Sequence, residues 1–231
     1  MQKVAVVGLG RFGMMLARQL TANGAEVIAI ERTTNLVNEI KDDVDVAVKL
    51  DATDETALVS QGIDAVDVCV VAIGDNFEAA LLTTVILKKL GVPRIVCRAQ
   101  TNFHAEIFRR IGADEVIQPE AQAGEHLARR LANPQLQDFI SLAEGFALIE
   151  LRVPAPFHGK TLLQIQLRAK YGVNLVAVKR PAAAEAAVES DAEPAEQYEI
   201  VSVPQPNEIL RPKDVLVLVG SSEALEKLPK E

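Results

Sequence analysis

Three glycines near the start of the chain have the spacing of a phosphate-binding loop. Gly8, Gly10 and Gly13 form a G-x-G-x-x-G pattern between the apolar residues 4–7 and a stretch with helical periodicity. The first glycine allows a tight turn, the second lets backbone approach a phosphate, and the third lets helix and strand pack closely. Because the N–H groups at a helix start attract anions, the pattern predicts a phosphate site.

An acidic residue follows at the distance expected for ribose recognition. Glu31 ends a second apolar segment, residues 26–31, and a carboxylate about 20 residues after the glycine loop accepts hydrogen bonds from ribose hydroxyl groups. The glycine pattern, the strand before it and the spaced acid together predict a nucleotide-binding domain. The alternative is a fold of the same kind whose site has decayed.

Strand-like and helix-like segments alternate through the first 120 or so residues. We expect six β/α units and hence an α/β fold with a Rossmann-like, doubly wound parallel sheet. Ligands of such sheets bind outside the carboxyl ends of the strands, so residues at or near these ends are candidates for nucleotide binding. They are Phe12, Asp51, Ala52, Thr53, Ala72, Ile73, Gly74, Asn76 and Arg98. Ordinary turn chemistry is the alternative interpretation of Asp51 and Thr53, and an internal carboxylate partner is that of Arg98.

The pattern changes after Asn133–Pro134. Residues 1–133 are expected to be the nucleotide-binding domain, 134–145 a connecting helical arm, and 146–231 a small α+β lobe. In this lobe we expect strands at 146–153, 173–180, 198–203 and 214–220, and short helices at 161–168 and 224–228. Residues 181–197 are a low-complexity Ala/Glu/Pro insertion, expected to be a flexible hairpin tip, with a short Ala-rich helix as the alternative.

Composition excludes some classes of function. The net charge of -8 argues against binding to nucleic acid. Cys69 and Cys97 lie in apolar segments without metal-ligand spacing and are expected to be reduced core residues. The chain has no recognisable signal peptide and no apolar run of about 18 residues, so we expect a cytosolic protein without a membrane span.

The side chains needed for hydride transfer are not grouped in the sequence. His104, His126 and His158 stand apart from one another, and neither tyrosine has a lysine four residues later. We therefore expect a binding protein rather than an enzyme. An NAD(H)-binding redox sensor or an NAD-dependent oxidoreductase is the alternative.

Several short motifs resemble those of the cytosolic regulatory subunits of Ktr/Trk-type potassium uptake systems. They are GLGRFG at 8–13, Glu31, DAT at 51–53, VAIG at 71–74, IGAD at 111–114, Pro119–Glu120 and RAKYG at 168–172. The resemblance covers the whole chain and implies an RCK/KTN nucleotide-binding domain followed by a C-terminal RCK lobe.

This resemblance implies a potassium-channel regulator that binds ATP and ADP. Homodimers would assemble into a homo-octameric ring on a membrane potassium-channel subunit, at the inner face of the cell membrane. Arg11 matches an arginine that senses the terminal phosphate, and Glu120 matches an acid that helps bind Mg²⁺ or Ca²⁺ beside ATP. The alternatives are a helix-face salt bridge for Arg11 and an ordinary first-turn acid for Glu120. NAD(H) is the alternative nucleotide, because Glu31 suits it equally.

The C-terminal part resembles a lobe that binds cyclic di-AMP between two subunits. Six residues fall at or near matching positions: Leu162, Leu163, Ile165, Arg168, Asn174 and Pro206. Core packing is the alternative interpretation of the apolar ones.

Overall fold

The computed structural model describes residues 1–182 and 198–229, which form two compact units divided between residues 122 and 123. The N-terminal unit contains six strands and five complete helices, and a sixth helix begins in it. The strands are β1 Lys3–Val7, β2 Glu26–Glu31, β3 Val46–Lys49, β4 Val68–Val71, β5 Arg94–Arg98 and β6 Glu115–Ile117. The helices are α1 Arg11–Ala22, α2 Thr34–Ile40, α3 Glu55–Ser60, α4 Phe77–Lys89, α5 Asn102–Arg110 and α6 Pro119–Ala132.

The strands of this unit form one parallel sheet in the order β3-β2-β1-β4-β5-β6. This is the doubly wound arrangement expected from the sequence, and the prediction is confirmed. The order reverses between β1 and β4, so the loops that follow these strands flank a crevice at the carboxyl edge of the sheet.

Both faces of the parallel sheet are covered. Successive residues of β1 enter different clusters, Ala5 with Val7 on one face and Val4 with Val6 on the other. Strands buried on both faces require continuous apolar sequence, which is the pattern seen in β1, β2 and β4. Cys69 and Cys97 are free thiols buried in the first of these clusters, as expected.

The C-terminal unit is built on an antiparallel sheet in the order β10-β9-β11-β8-β7. Its strands are β7 Leu136–Ala143, β8 Phe146–Arg152, β9 Asn174–Pro181, β10 Tyr198–Val201 and β11 Val215–Ser221. Its short helices are α7 Leu162–Ile165 and α8 Ser222–Glu226, and a π-helical turn covers Leu167–Tyr171. One face of the sheet packs with these helices around Leu216 and Leu218, which confirms the α+β lobe.

The prediction of a helical arm at 134–145 was wrong. Residues 136–143 form β7, which pairs antiparallel with β8. The hairpin turn between the strands ends at Gly145, whose φ of 71° suits a glycine. The i, i+3 spacing of Leu136 and Phe139 resembles a helix, but both side chains pack on the core of the lobe as strand residues. Pairing with a neighbouring strand therefore overrides the local pattern.

Two further expectations concern the lobe. The single helix expected at 161–168 is divided, because Gln166 has a φ of 55° between α7 and the π-helical turn. Of the expected insertion at 181–197, Pro181 ends β9, and residues 183–197 lie outside the described residues. The domain boundary at 133 stays a prediction.

Within the described ranges, no helix is both long and apolar enough to cross a membrane.

Candidate functional site

A cleft of about 700 Å³ lies at the carboxyl edge of the parallel sheet. The loops after β1, β2, β3, β4 and β5 contribute to it, as the crevice rule predicts. The structure brings together all of the predicted nucleotide-site residues except Gly13 along its wall: Gly8, Gly10, Arg11, Phe12, Glu31, Asp51, Ala52, Thr53, Ala72, Ile73, Gly74, Asn76, Arg98 and Glu120.

Each of the three glycines of the loop has a different structural role. Gly8 has a φ of 95°, and a Cβ there would lie 2.9 Å from the backbone nitrogen of Ile73. A Cβ at Gly13 would lie 1.9 Å from the carbonyl oxygen of Gly8, so Gly13 lets α1 approach the loop. A Cβ at Gly10 would have no atom within 4 Å. Gly10 therefore leaves the cleft open beside the start of α1, where backbone N–H groups are free for an anion.

Glu31 holds the glycine loop from the neighbouring strand. Its Oε2 accepts a hydrogen bond of 2.9 Å from the backbone N–H of Leu9, and its Oε1 accepts one of 2.9 Å from the N–H of Thr33. The N–H of Gly8 also donates to the carbonyl oxygen of Ile30, at 2.8 Å. The carboxylate is thus fixed at the wall of the cleft, and each oxygen keeps a lone pair for a ligand.

Asp51 and Thr53 form a local turn. The backbone N–H and the hydroxyl of Thr53 both donate to Oδ1 of Asp51, at 2.9 and 2.7 Å, and these bonds lower the pKa of the Asp51 carboxyl. Asn76 has a structural contact as well, because its side chain accepts from the N–H of Ala79 and caps α4. All three residues line the cleft, but the bonds of Asp51 and Thr53 also fit the ordinary turn chemistry considered as their alternative, and Asn76 caps a helix.

Arg98 forms an ion pair with Glu120 at the cleft. The Arg98 side chain is 16% exposed and that of Glu120 62% exposed. The hydrogen bond from Arg98 holds the pKa of the Glu120 carboxyl below its usual range. The internal carboxylate considered as the alternative partner of Arg98 is therefore present. Arg11, by contrast, is exposed and has no ion pair within the part of the chain that the structure describes, so no helix-face salt bridge occupies it there.

A cation at Glu120 would need ligands besides the protein. Among residues 1–182 and 198–229, no group of three or more His, Cys, Asp or Glu side chains is placed to hold a metal ion. Mg²⁺ beside a nucleotide is commonly held by one or two carboxylates together with phosphate oxygens and water. Glu120 therefore fits a cation that arrives with a phosphate ligand, and does not form a metal site by itself.

Sequence reasoning missed several residues of the cleft. Arg32, Asp75 and Gln100 line it one or two residues beyond the candidates Glu31, Gly74 and Arg98, so the strand-end rule applied slightly further along each loop would have found them. Leu36 and Leu82 also line it, from α2 and α4. No short-range signal distinguishes these two leucines from ordinary helix residues.

The residues expected at the C-lobe ligand site are partly brought together. The N–H of Leu163 donates to the carbonyl oxygen of Pro206, at 2.9 Å, and the Leu163 side chain is 68% exposed. Leu162 is half-buried against the core, and Ile165 is buried within it, as the alternative interpretation holds. Arg168 and Asn174 are exposed. A cleft of about 430 Å³ in the same unit is lined by none of the six.

Comparison with known proteins identifies the first unit. The TrkA-N domain family matches residues 4–119, which contain the parallel sheet except for Lys3, the first residue of β1. Three solved structures share 25% sequence identity with this chain, which covers less than half of the length of each of them. The GsuK RCK domain has a TM-score of 0.53, with 97% of this chain and 45% of that chain covered. The GsuK channel bound to NAD has a TM-score of 0.53, with 98% and 37% covered. GsuK bound to ADP has a TM-score of 0.50, with 56% and 34% covered.

Two curated relatives match nearly end to end. Ktr system potassium uptake protein C of Bacillus subtilis (strain 168) is 34% identical over 229 residues, with 99% of this chain and 96% of the relative covered. Ktr system potassium uptake protein A of the same organism is 32% identical over 230 residues, with 100% and 96% covered. The chain therefore belongs to the TrkA-N/RCK family, within which its full-length similarity groups it with the Ktr system potassium uptake proteins A and C.

Proposed function

We propose that this chain is the nucleotide-responsive regulatory subunit of a potassium uptake system. The observation that carries the proposal is the similarity to Ktr proteins A and C, which extends over 96% of both relatives. In this proposal the chain has no catalytic role. It acts by binding ligands more tightly in one assembly geometry than in another, and the difference in binding free energy controls a membrane channel subunit.

The ligand of the N-terminal cleft is proposed to be ATP or ADP. Its phosphates would lie at the start of α1 beside Gly10, with the exposed guanidinium of Arg11 on the terminal phosphate. Its ribose hydroxyl groups would donate to Glu31, and the apolar side chains of Leu36 and Leu82 would contact the base. The description of GsuK as bound to ADP supports an adenine nucleotide in a relative of this fold.

A divalent cation is proposed to bind only together with ATP. Glu120 supplies one carboxylate, and the β- and γ-phosphates supply the other charged ligands. Mg²⁺ or Ca²⁺ would then neutralise phosphate charge that Arg11 does not reach. This requirement makes the ATP complex sensitive to the cation, whereas the ADP complex, with one phosphate fewer, is less so.

The C-terminal lobe is proposed to bind cyclic di-AMP at a surface shared by two copies. Leu163 and Ile209 are exposed apolar side chains near Pro206, and they offer a surface for a nucleobase. Arg168 is exposed on the same lobe and offers a charge for a phosphate. A homodimer formed through this lobe, assembled further into an octameric ring, would sit at the cytoplasmic face of the membrane through its channel partner.

The first experiment is thermal unfolding of the purified chain with ATP, ADP, NAD, NADH or cyclic di-AMP, each with and without Mg²⁺ or Ca²⁺. A ligand of the native state raises Tm by mass action. We expect ATP to stabilise more with the cation than without it, and Arg11→Ala to remove most of the stabilisation. Arg109→Ala is the control, because Arg109 is exposed at the end of α5 and does not line the cleft.

NAD(H) is the second candidate, since one GsuK structure is described as bound to NAD. If only NAD or NADH stabilises the chain, and Arg11→Ala has no effect, the ATP assignment is wrong and the subunit is a redox sensor or an enzyme. If no nucleotide changes Tm, the cleft is not a nucleotide site.

A further inference from the structure

Arg98, one of the residues that line the nucleotide cleft, has a buried donor without a hydrogen-bond partner among the described residues. Its Nε is buried and has no hydrogen-bond partner, although the same side chain pairs with Glu120 through Nη2. A buried N–H of a charged group without an acceptor is costly, and native proteins rarely keep one without a functional reason. Arg98 also lines the cleft, where an anionic ligand would supply acceptors.

The fold reserves space for this guanidinium. A Cβ at Gly74 would lie 2.2 Å from Nη1 of Arg98, so a larger residue there would displace the guanidinium from its present position. The ring of Phe12, in the first turn of α1, has its centroid 5.9 Å from Cζ of Arg98. The guanidinium thus lies between the start of α1 and the loop after β4, which flank the crevice.

The two partners of the ion pair differ in freedom. Glu120 is mostly exposed in the first turn of α6, and its carboxylate regains full hydration if it leaves Arg98. Arg98 is largely buried, so its charge needs an anion wherever Glu120 goes. A phosphate group satisfies this need better than a single carboxylate oxygen, because it can accept from Nε and Nη2 together.

We propose that Arg98 determines the phosphate and cation specificity of the cleft by exchanging one anion for another. This inference rests on the proposed nucleotide function. Without ligand, Arg98 is the counter-ion of Glu120. When a nucleotide binds, the guanidinium moves to its phosphates through Nε, and Glu120 becomes free to bind the cation. The cation can therefore occupy its site only after the phosphate has displaced Glu120 from Arg98.

The exchange makes Glu120 a competitor of the nucleotide when no cation is present, and this predicts effects of opposite sign. Without Mg²⁺, Glu120→Gln should raise the affinity for ATP about two- to fivefold, because the competing carboxylate is gone. Arg98→Gln should lower the same affinity about tenfold, because a charge-assisted hydrogen bond is lost. Mg²⁺ should raise the affinity of the wild type for ATP. Glu120→Gln should lose this increase in affinity, whereas Arg98→Gln should keep it.

Isothermal titration calorimetry with ATP, with and without Mg²⁺, measures these four affinities of the two variants and the two reference affinities of the wild type. Arg94→Gln is the matched control, because Arg94 lies on the same strand and pairs with Glu115 at 2.6 Å but does not line the cleft. Circular dichroism checks that each variant is folded. Glu120→Gln changes an exposed side chain and tests the proposal even if Arg98→Gln does not fold.

The exchange is wrong if Glu120→Gln lowers or leaves unchanged the Mg²⁺-free affinity for ATP, or if a folded Arg98→Gln binds ATP like the wild type. Equal losses of affinity in both variants would assign the ion pair a purely structural role. Failure of the proposed function gives a different result, since the wild type itself would then bind no nucleotide in the same titrations.

Discussion

The two units of the chain use charged side chains in opposite ways. In the N-terminal cleft, Arg11 is exposed and Arg98 pairs with the largely hydrated Glu120. In the C-terminal unit, Arg180 is 15% exposed and pairs with Glu208 and with Asp214, which is 1% exposed. The two arginines of the cleft are available to a ligand, whereas Arg180 of the second unit is used within the fold.

The difference follows from what holds each candidate surface in place. Backbone hydrogen bonds, glycine packing and the Glu31 carboxylate shape the N-terminal cleft, so its two arginines are left for binding. In the lobe, charged side chains add to the backbone hydrogen bonds that hold the segment containing Pro206: Arg180 binds the Glu208 carboxylate and the carbonyl oxygen of Ile209, while Asp214 accepts from the N–H of Arg211. Leu163 and Ile209 remain as exposed apolar side chains near Pro206.

The largest effect should come from removing the buried carboxylate of the lobe. Asp214→Ala leaves Arg180 with one carboxylate and the N–H of Arg211 without its acceptor, so we expect the free energy of unfolding to fall by about 3–5 kcal/mol. Urea unfolding followed by tyrosine fluorescence measures it, because both tyrosines, Tyr171 and Tyr198, lie in this unit. Asp42→Ala, at an exposed position, is the control. A loss below about 1 kcal/mol would contradict the contrast between the units.

In the N-terminal unit the packing glycine should matter more than any charge of the cleft. Gly13→Ala places a Cβ against the Gly8 carbonyl oxygen, and we expect a loss of about 1–3 kcal/mol in thermal unfolding followed by circular dichroism. Gly10→Ala meets no atom and should cost less, up to about 1 kcal/mol because alanine is a poorer N-cap than glycine, yet it should weaken ATP binding because its methyl group occupies the phosphate approach. Equal losses of stability would show that the loop is not packed as described.

The buried thiols give the N-terminal unit a pH dependence of intermediate size. Burial raises the pKa of Cys97 to about 11 and raises that of Cys69 as well, above the ordinary 9.0. The unfolded chain therefore loses these protons first, so stability is kept below about pH 9 and declines as the pH rises further. Between pH 8 and pH 10 we expect a loss of about 1 kcal/mol for each thiol.

Urea unfolding at both pH values measures this loss, with the Cys69→Ala/Cys97→Ala double variant as the control for other titrating groups. The same pH dependence in the wild type and in the variant would mean that the thiols do not cause it.

The smallest effect should come from the exposed ion pair. Glu120→Gln should change the free energy of unfolding by less than about 1 kcal/mol, because its carboxylate is mostly hydrated. The pKa of Glu120 is lowered in the folded state. Any contribution of its carboxylate to the free energy of unfolding is therefore present above the usual carboxyl pKa and is lost as the pH falls through the folded-state pKa. Chemical unfolding at pH 7 and pH 4 tests both statements, and a loss comparable to that of Asp214→Ala would remove the contrast between the two units.

Local sequence patterns predicted the N-terminal unit more completely than the lobe, for a physical reason. A strand buried on both faces needs a continuous apolar run, and the strand-end rule then locates Asp51, Ala72 and Arg98 together without any knowledge of their contacts. The partner of β7 is β8, and the strand identity of Phe139 depends on that pairing. The pairing of Arg98 with Glu120 likewise joins residues on different elements and has no local signature.

Glu31 adopts its rotamer before any ligand arrives. The N–H groups of Leu9 and Thr33 already orient its carboxylate, so its side-chain rotamer entropy is lost during folding and need not be removed again by an incoming sugar. The same contacts set a limit on selectivity. A deoxyribose would leave no unsatisfied acceptor at Glu31, so this acid discriminates only weakly between ribose and deoxyribose, and the choice of ligand falls mainly to the base and the phosphates.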